Sequence, residues 1–201
     1  MSFQANPAAF ALLAITLAMS LAGLYVNSGI VERNLFRPYW LRRRGEWYTA
    51  VTSGFVHGDM GHLLFNMITF FFFAFPLERR LGTAAFLALY LTGLLASHAG
   101  TFLKHRNDPR YASLGASGAI SAVLFAFIVY FPTQSIFIMP LPVPIPAPLF
   151  AIAYMGYSWY SARRAVGRIN HDAHLWGALS GLVFVAIVDP GAWQRLPGLL
   201  G

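Results

Sequence analysis

The sequence predicts an all-α, polytopic membrane protein with six transmembrane helices. Apolar residues fill 57% of the 201 positions and charged residues only 10%, against roughly 25% charged in an average soluble domain. The apolar residues also gather into six runs, each ended by charge or proline. So little charge cannot solvate the outside of a soluble globule, and so much apolar surface cannot be hidden inside one. Intrinsic disorder is excluded by the hydrophobicity. A disulfide scaffold and any Cys-ligated zinc or iron–sulfur centre are excluded because there is no cysteine.

A transmembrane helix needs about 20 mainly apolar residues. The first run is 7–26, uncharged throughout. It reads as an anchor rather than a signal peptide, because no Lys or Arg precedes it and it is too long for an h-region. The second run, 61–77, is closed by Glu78, Arg79 and Arg80. The third, 83–103, is closed by Lys104; the fourth, 114–131, by Pro132. The fifth, 147–162, is closed by Arg163 and Arg164; the sixth, 172–188, by Asp189-Pro190. Some runs are short for a full crossing, which is tolerated inside a bundle. The first connection, 27–60, carries five arginines with Trp40, Trp47 and Tyr48, and this mixture predicts a segment lying along the membrane surface. The segment 133–146 holds four prolines and no charge, so it cannot be a regular helix. No repeat or hinge interrupts the chain, and one six-helix domain over 1–201 is expected.

All seven acids lie in loops or at the ends of runs. An ion-coupled pump usually needs a carboxylate within a span, so that class is disfavoured. Three polar clusters remain. In HGDMGHLLFN, His62 and Asn66 are four apart and share a helical face. Gly115-Ala116-Ser117-Gly118 opens the fourth run, where backbone N–H groups are unpaired and the glycines admit close approach. His174 opens the sixth run, with Gly177 and Gly181 on its face making a flat seam for the fourth helix. Each cluster has an ordinary structural reading as interhelical glue, an N-cap or an interfacial histidine. Their agreement counts for more, because each follows an odd-numbered loop and all therefore reach the same membrane face. Such a set supports acyl transfer. Ser117 is the candidate nucleophile and His174 the base. The Ser117 N–H with His62 and Asn66 is the candidate oxyanion site. No carboxylate orients the base unless Asp172 or Asp59 folds in, so the expected unit is a dyad.

At these residues the chain resembles the rhomboid intramembrane serine proteases, over about 47–181. The resemblance rests on HGDMGHLLFN, the ERRLG turn at 78–82, GASG around Ser117 and AHLWGALSG at 173–181. It implies the roles given above for Ser117, His174, His62 and Asn66, and makes His57 an accessory position. It implies substrates that are membrane proteins with a single span whose helix unwinds near the cleaved bond, entering sideways from the lipid bilayer. No cofactor, metal or nucleic acid is expected, and oligomeric state is not legible. Three features depart from the family pattern. Ser121 stands where the family often has an aromatic ring stacked on the catalytic histidine. Tyr48 stands where many members have arginine. The odd loops hold eleven of the 14 cations, which the positive-inside rule places in the cytoplasm. The resemblance implies the reverse, with the site on the extracytoplasmic side of a bacterial inner membrane, and that is the expectation adopted. Two rivals are a catalytically inactive relative that binds membrane clients, and a protein holding metal or haem through His57, His62, His171 and His174. The first is weakened because both Ser117 and His174 are present. The second is weakened because there is no HExxH.

Overall fold

The computed structural model describes residues 3–138, 141–164 and 170–195. Helix α1 (Pro7–Tyr25) has proline in its first turn, where no N–H is needed. Three short helices follow, α2 (Gly29–Asn34), α3 (Pro38–Arg43) and α4 (Thr49–Thr52). They lie within the 27–60 connection. The long helices α5 (Met60–Leu81) and α6 (Thr83–His105) meet at Gly82, whose φ of +80° ends the first and lets the second begin. Helix α7 (Ser117–Tyr130) leads into an antiparallel pair, β1 (Ser135–Ile138) and β2 (Leu141–Pro146). Helices α8 (Ala147–Arg164) and α9 (His171–Val188) complete the bundle.

The molecule is a polytopic helical bundle, with 77% of the described residues helical. Among the described residues, four helices (α1, α5, α6 and α9) are long and apolar enough to cross a membrane. Two boundaries differ from expectation. α5 runs four residues past 77, because Glu78 is drawn inward instead of ending the helix at the surface. Glu78 is 1% exposed. It accepts the Ala8 and Ala9 N–H groups (3.0 and 2.8 Å) and the Thr83 hydroxyl (2.9 Å). The first turn of α1 would otherwise have no acceptors for those groups. α7 starts at Ser117 rather than 114, because Gly115 adopts φ +106° and delays the helix. The proline-rich 133–146 segment is non-helical as expected; residues 139 and 140 lie outside the described residues.

α7 has 14 residues and rises only about 21 Å, well short of a hydrocarbon core of about 30 Å. It survives because it does not face lipid: every residue from Gly118 to Tyr130 is buried. Helices α5, α6 and α9 pack around it.

Candidate active site

Glycine lets α9 lie directly on α7. A Cβ added to Gly177 would sit 2.1 Å from the Gly118 carbonyl oxygen, and one at Gly181 would sit 2.3 Å from that of Ala122. The flat seam read from the sequence is therefore real. Gly118 has no room for a side chain either: its Cβ would lie 2.3 Å from Ser97 Oγ on α6 and 3.4 Å from the Ala173 carbonyl. Ser117 and His174, the chain neighbours of Gly118 and Ala173, thus occupy adjoining turns of facing helices. No hydrogen bond joins their side chains in this structure; such bonds are often long in a resting site.

Both histidine-bearing turns are capped. Asp59 accepts the His62 N–H at 2.7 Å, and Asn170 accepts the Ala173 N–H at 3.1 Å. Asn170 also reaches the Thr101 hydroxyl of α6 at 2.9 Å. The first turn of each helix is held in place at its start. These contacts also settle where the two candidate acids go. Asp59 is the cap of α5, and Asp172 pairs with Lys104 at 2.5 Å. Neither bonds His174.

His62 lies against Gly115, where an added Cβ would come within 2.7 Å of its ring. Asn66 is buried and gives one amide N–H to His57 Nε2 at 3.0 Å. The Ala116 N–H points to the same nitrogen at 3.5 Å. With two donors aimed at it, Nε2 is the acceptor. Nδ1 then carries the hydrogen and donates to Ser20 Oγ at 3.0 Å, and Ser20 donates to the Phe55 carbonyl at 3.1 Å. A neutral ring is required, and burial, reinforced by nearby His62 against a weaker pull from Asp59, pushes the His57 pKa down to about 3. His57 therefore ties together α1, Asn66 and the loop before Ser117. Beyond it, the N–H groups of Ser117 and Gly118 have no acceptor among the described residues; the first bond of the turn is Ile120 N–H to the Ala116 carbonyl, 2.9 Å. One amide hydrogen of Asn66 and these two N–H groups remain for a ligand.

A feature missed in the sequence bears on Ser121. Tyr154 of α8 lies over His174, with ring centroids 6.2 Å apart and planes 23° apart. Its hydroxyl lies 2.9 Å from Ser121 Oγ, which donates to the Ser117 carbonyl at 2.9 Å. The aromatic neighbour of His174 comes from a different helix, and Ser121 is small enough to admit it. Tyr48, the other departure, donates its phenol to the Arg33 carbonyl at 3.0 Å, joining α4 to α2. His171 is buried and meets His174 edge-on at 6.0 Å. No group of three or more metal-ligating side chains occurs among the described residues.

The Rhomboid domain family model matches residues 44–190, most of the chain. The chain belongs to the rhomboid family. It is 29% identical over 170 residues to RHOMBOID-like protein 12, mitochondrial, of Arabidopsis thaliana, covering 76% of this chain and 49% of that one. It is 38% identical over 94 residues to the putative rhomboid protease YdcA of Bacillus subtilis, covering 46% of each. It is 31% identical over 144 residues to Rhomboid protein 1, mitochondrial, of Saccharomyces cerevisiae, covering 68% of this chain and 40% of that one. The chain spans about half or less of the length of these relatives. They divide between mitochondria and a bacterium, which gives no support to the narrower expectation of a bacterial inner membrane. The protein is an integral membrane rhomboid.

Proposed function

We propose that this rhomboid is an intramembrane serine endopeptidase that cleaves transmembrane segments of membrane proteins with a Ser117–His174 dyad, within one six-span domain over 1–201. The observation that carries the reading is the backbone contact of Gly177 with Gly118, which sets the Ser117 turn against the His174 turn. Ser117 Oγ attacks the scissile carbonyl carbon as its proton passes to His174. The oxyanion is met by the Ser117 and Gly118 N–H groups, the free amide hydrogen of Asn66 and His62. Collapse of the tetrahedral intermediate breaks the C–N bond, and His174 returns the proton to the leaving amine. Water, activated by His174, then hydrolyses the ester to release the acyl product and restore Ser117. A substrate helix shields its peptide bonds by its own hydrogen bonding, so Gly or Pro near the site lowers the cost of exposing one.

Cleavage of a single-span reporter in proteoliposomes tests the reading. Ser117→Ala and His174→Ala should abolish cleavage in folded protein, and His62→Ala or Asn66→Ala should slow it by about 10²–10³-fold. Unchanged cleavage by Ser117→Ala would end the assignment. An extracytoplasmic site is proposed on the family resemblance, against the cation count. Since the chain has no cysteine, impermeant labelling of Arg110→Cys in cells tests this.

A further inference from the structure

The outer edge between α3 and α6 carries two adjoining concavities of opposite character. One, of about 130 Å³, is lined by Arg42, Arg43, Arg106 and Asn107 over a floor that includes Phe102. The other, of about 480 Å³, is walled mainly by apolar side chains, among them Phe36, Leu41, Trp47, Leu95 and Leu103. Arg42 and Phe102 line both, so the cationic pocket opens onto the apolar groove. Arg37, Arg44, Arg80 and Lys104 each pair with a carboxylate. Among the described residues no carboxylate lines either concavity, and Arg42, Arg43 and Arg106 form no ion pair. Three uncompensated arginines at one spot make a site for an anion.

The geometry also fixes what kind of anion. Arg106 caps the end of α6, at the membrane surface, and the groove continues down α6 from Leu103 to Leu95. Eight residues of helix are about 12 Å, directed into the hydrocarbon. A cationic pocket at the interface joined to a chain-length apolar groove below it matches a phosphate headgroup joined to an acyl chain. Free phosphate would use only the upper part. We propose that this edge binds one anionic phospholipid of the surrounding bilayer, its phosphate held by Arg42, Arg43 and Arg106 and one acyl chain lying along α6.

The site is also joined to the loop before Ser117. His98 lines the groove, and its Nε2 lies 3.1 Å from Ser53 Oγ. The Ser53 carbonyl accepts the Gly115 N–H at 2.9 Å, and Phe36, another wall of the groove, exchanges backbone bonds with Ser113 at 2.9 and 3.0 Å. A lipid in the groove packs against the elements that hold the Gly115 turn.

Native mass spectrometry of the full chain in detergent, titrated with phosphatidylglycerol or phosphatidylcholine, tests the proposal without reference to catalysis. One phosphatidylglycerol should be retained in preference to phosphatidylcholine. Each arginine contributes about fivefold to such binding, so the triple variant Arg42→Gln, Arg43→Gln, Arg106→Gln should lose most of the preference. Arg79→Gln, at the opposite membrane face, should keep it. Ala99→Phe, which fills the groove and spares the arginines, should weaken the lipid but not bound inorganic phosphate. Equal retention of both lipids, or a preference that survives the triple variant, overturns the proposal. Full displacement of the lipid by inorganic phosphate would show an anion pocket without a lipid site, and would overturn it too.

Discussion

The Ser121 hydroxyl has one proton, and it goes to the Ser117 carbonyl. The Tyr154 hydroxyl must therefore donate to Ser121. This fixes the ring of Tyr154 over His174 and, under the proposed mechanism, makes Tyr154 a positioning residue for the base. Tyr154→Phe keeps the ring and loses the bond, and Tyr154→Leu loses both. A ring contact and a hydrogen bond are each worth about 0.5–1.5 kcal/mol, so kcat should fall about twofold to tenfold in the first and further in the second, with KM little changed. Wild-type kcat in Tyr154→Leu would remove it from the site. His57 gives a prediction in pH. Its folded pKa of about 3 lies below the unfolded value of about 6.5, so below pH 6.5 the unfolded chain takes up a proton that the folded chain refuses. Stability from this group is full above about 6.5 and lost as pH falls toward 3, by up to about 1.4 kcal/mol per pH unit. The thermal midpoint in detergent should drop between pH 7.5 and 5, and His57→Gln should flatten that dependence. An unchanged slope in the variant would contradict the neutral-ring account.

At the scale of elements, the site depends on two helices touching without side chains between them. Gly177→Ala places a methyl group against the Gly118 carbonyl. It should lower the thermal midpoint and cost more in activity than in stability, because α9 must shift and take His174 with it. Gly156 of α8 is the control: a Cβ there meets nothing within 4 Å. Gly156→Ala should be neutral or stabilising by about 0.5–1 kcal/mol. Equal behaviour of the two variants would mean that the seam does not govern the site. The seam was legible in the sequence because Gly177 and Gly181 follow His174 at helical spacing, a local pattern. The Tyr154 stack was not, since it depends on how α8 leans on α9, and no spacing within either helix encodes that angle. The same holds for Glu78, whose backbone partners on α1 lie 69 and 70 residues away. Its chemistry could be read, but its turn inward could not.

At the scale of the whole molecule, the apolar runs make the helices and the polar exceptions locate the site. Hydropathy alone marks α1, α5, α6 and α9, the four described helices long and apolar enough to cross a membrane. It could not foresee that the shortest long helix, α7, is also the most enclosed, with lipid-facing helices around it. That enclosure keeps the Ser117 turn out of bulk water while its N–H groups stay unpaired, the environment in which an oxyanion site is strongest. It also explains how 201 residues with few charges carry polar chemistry: most of the buried polar side chains around the site have a partner from another element. His57 with Ser20 and Asn66, Ser121 with Tyr154, and Thr101 with Asn170 are such pairs.

The measurement that tests the central claim most directly is labelling of the folded, detergent-solubilised protein with a serine-directed fluorophosphonate, beside Ser117→Ala and His174→Ala. The account predicts labelling of wild type alone, at Ser117. Labelling that persists in Ser117→Ala, or a folded wild type that takes no label, would contradict an activated serine at this site.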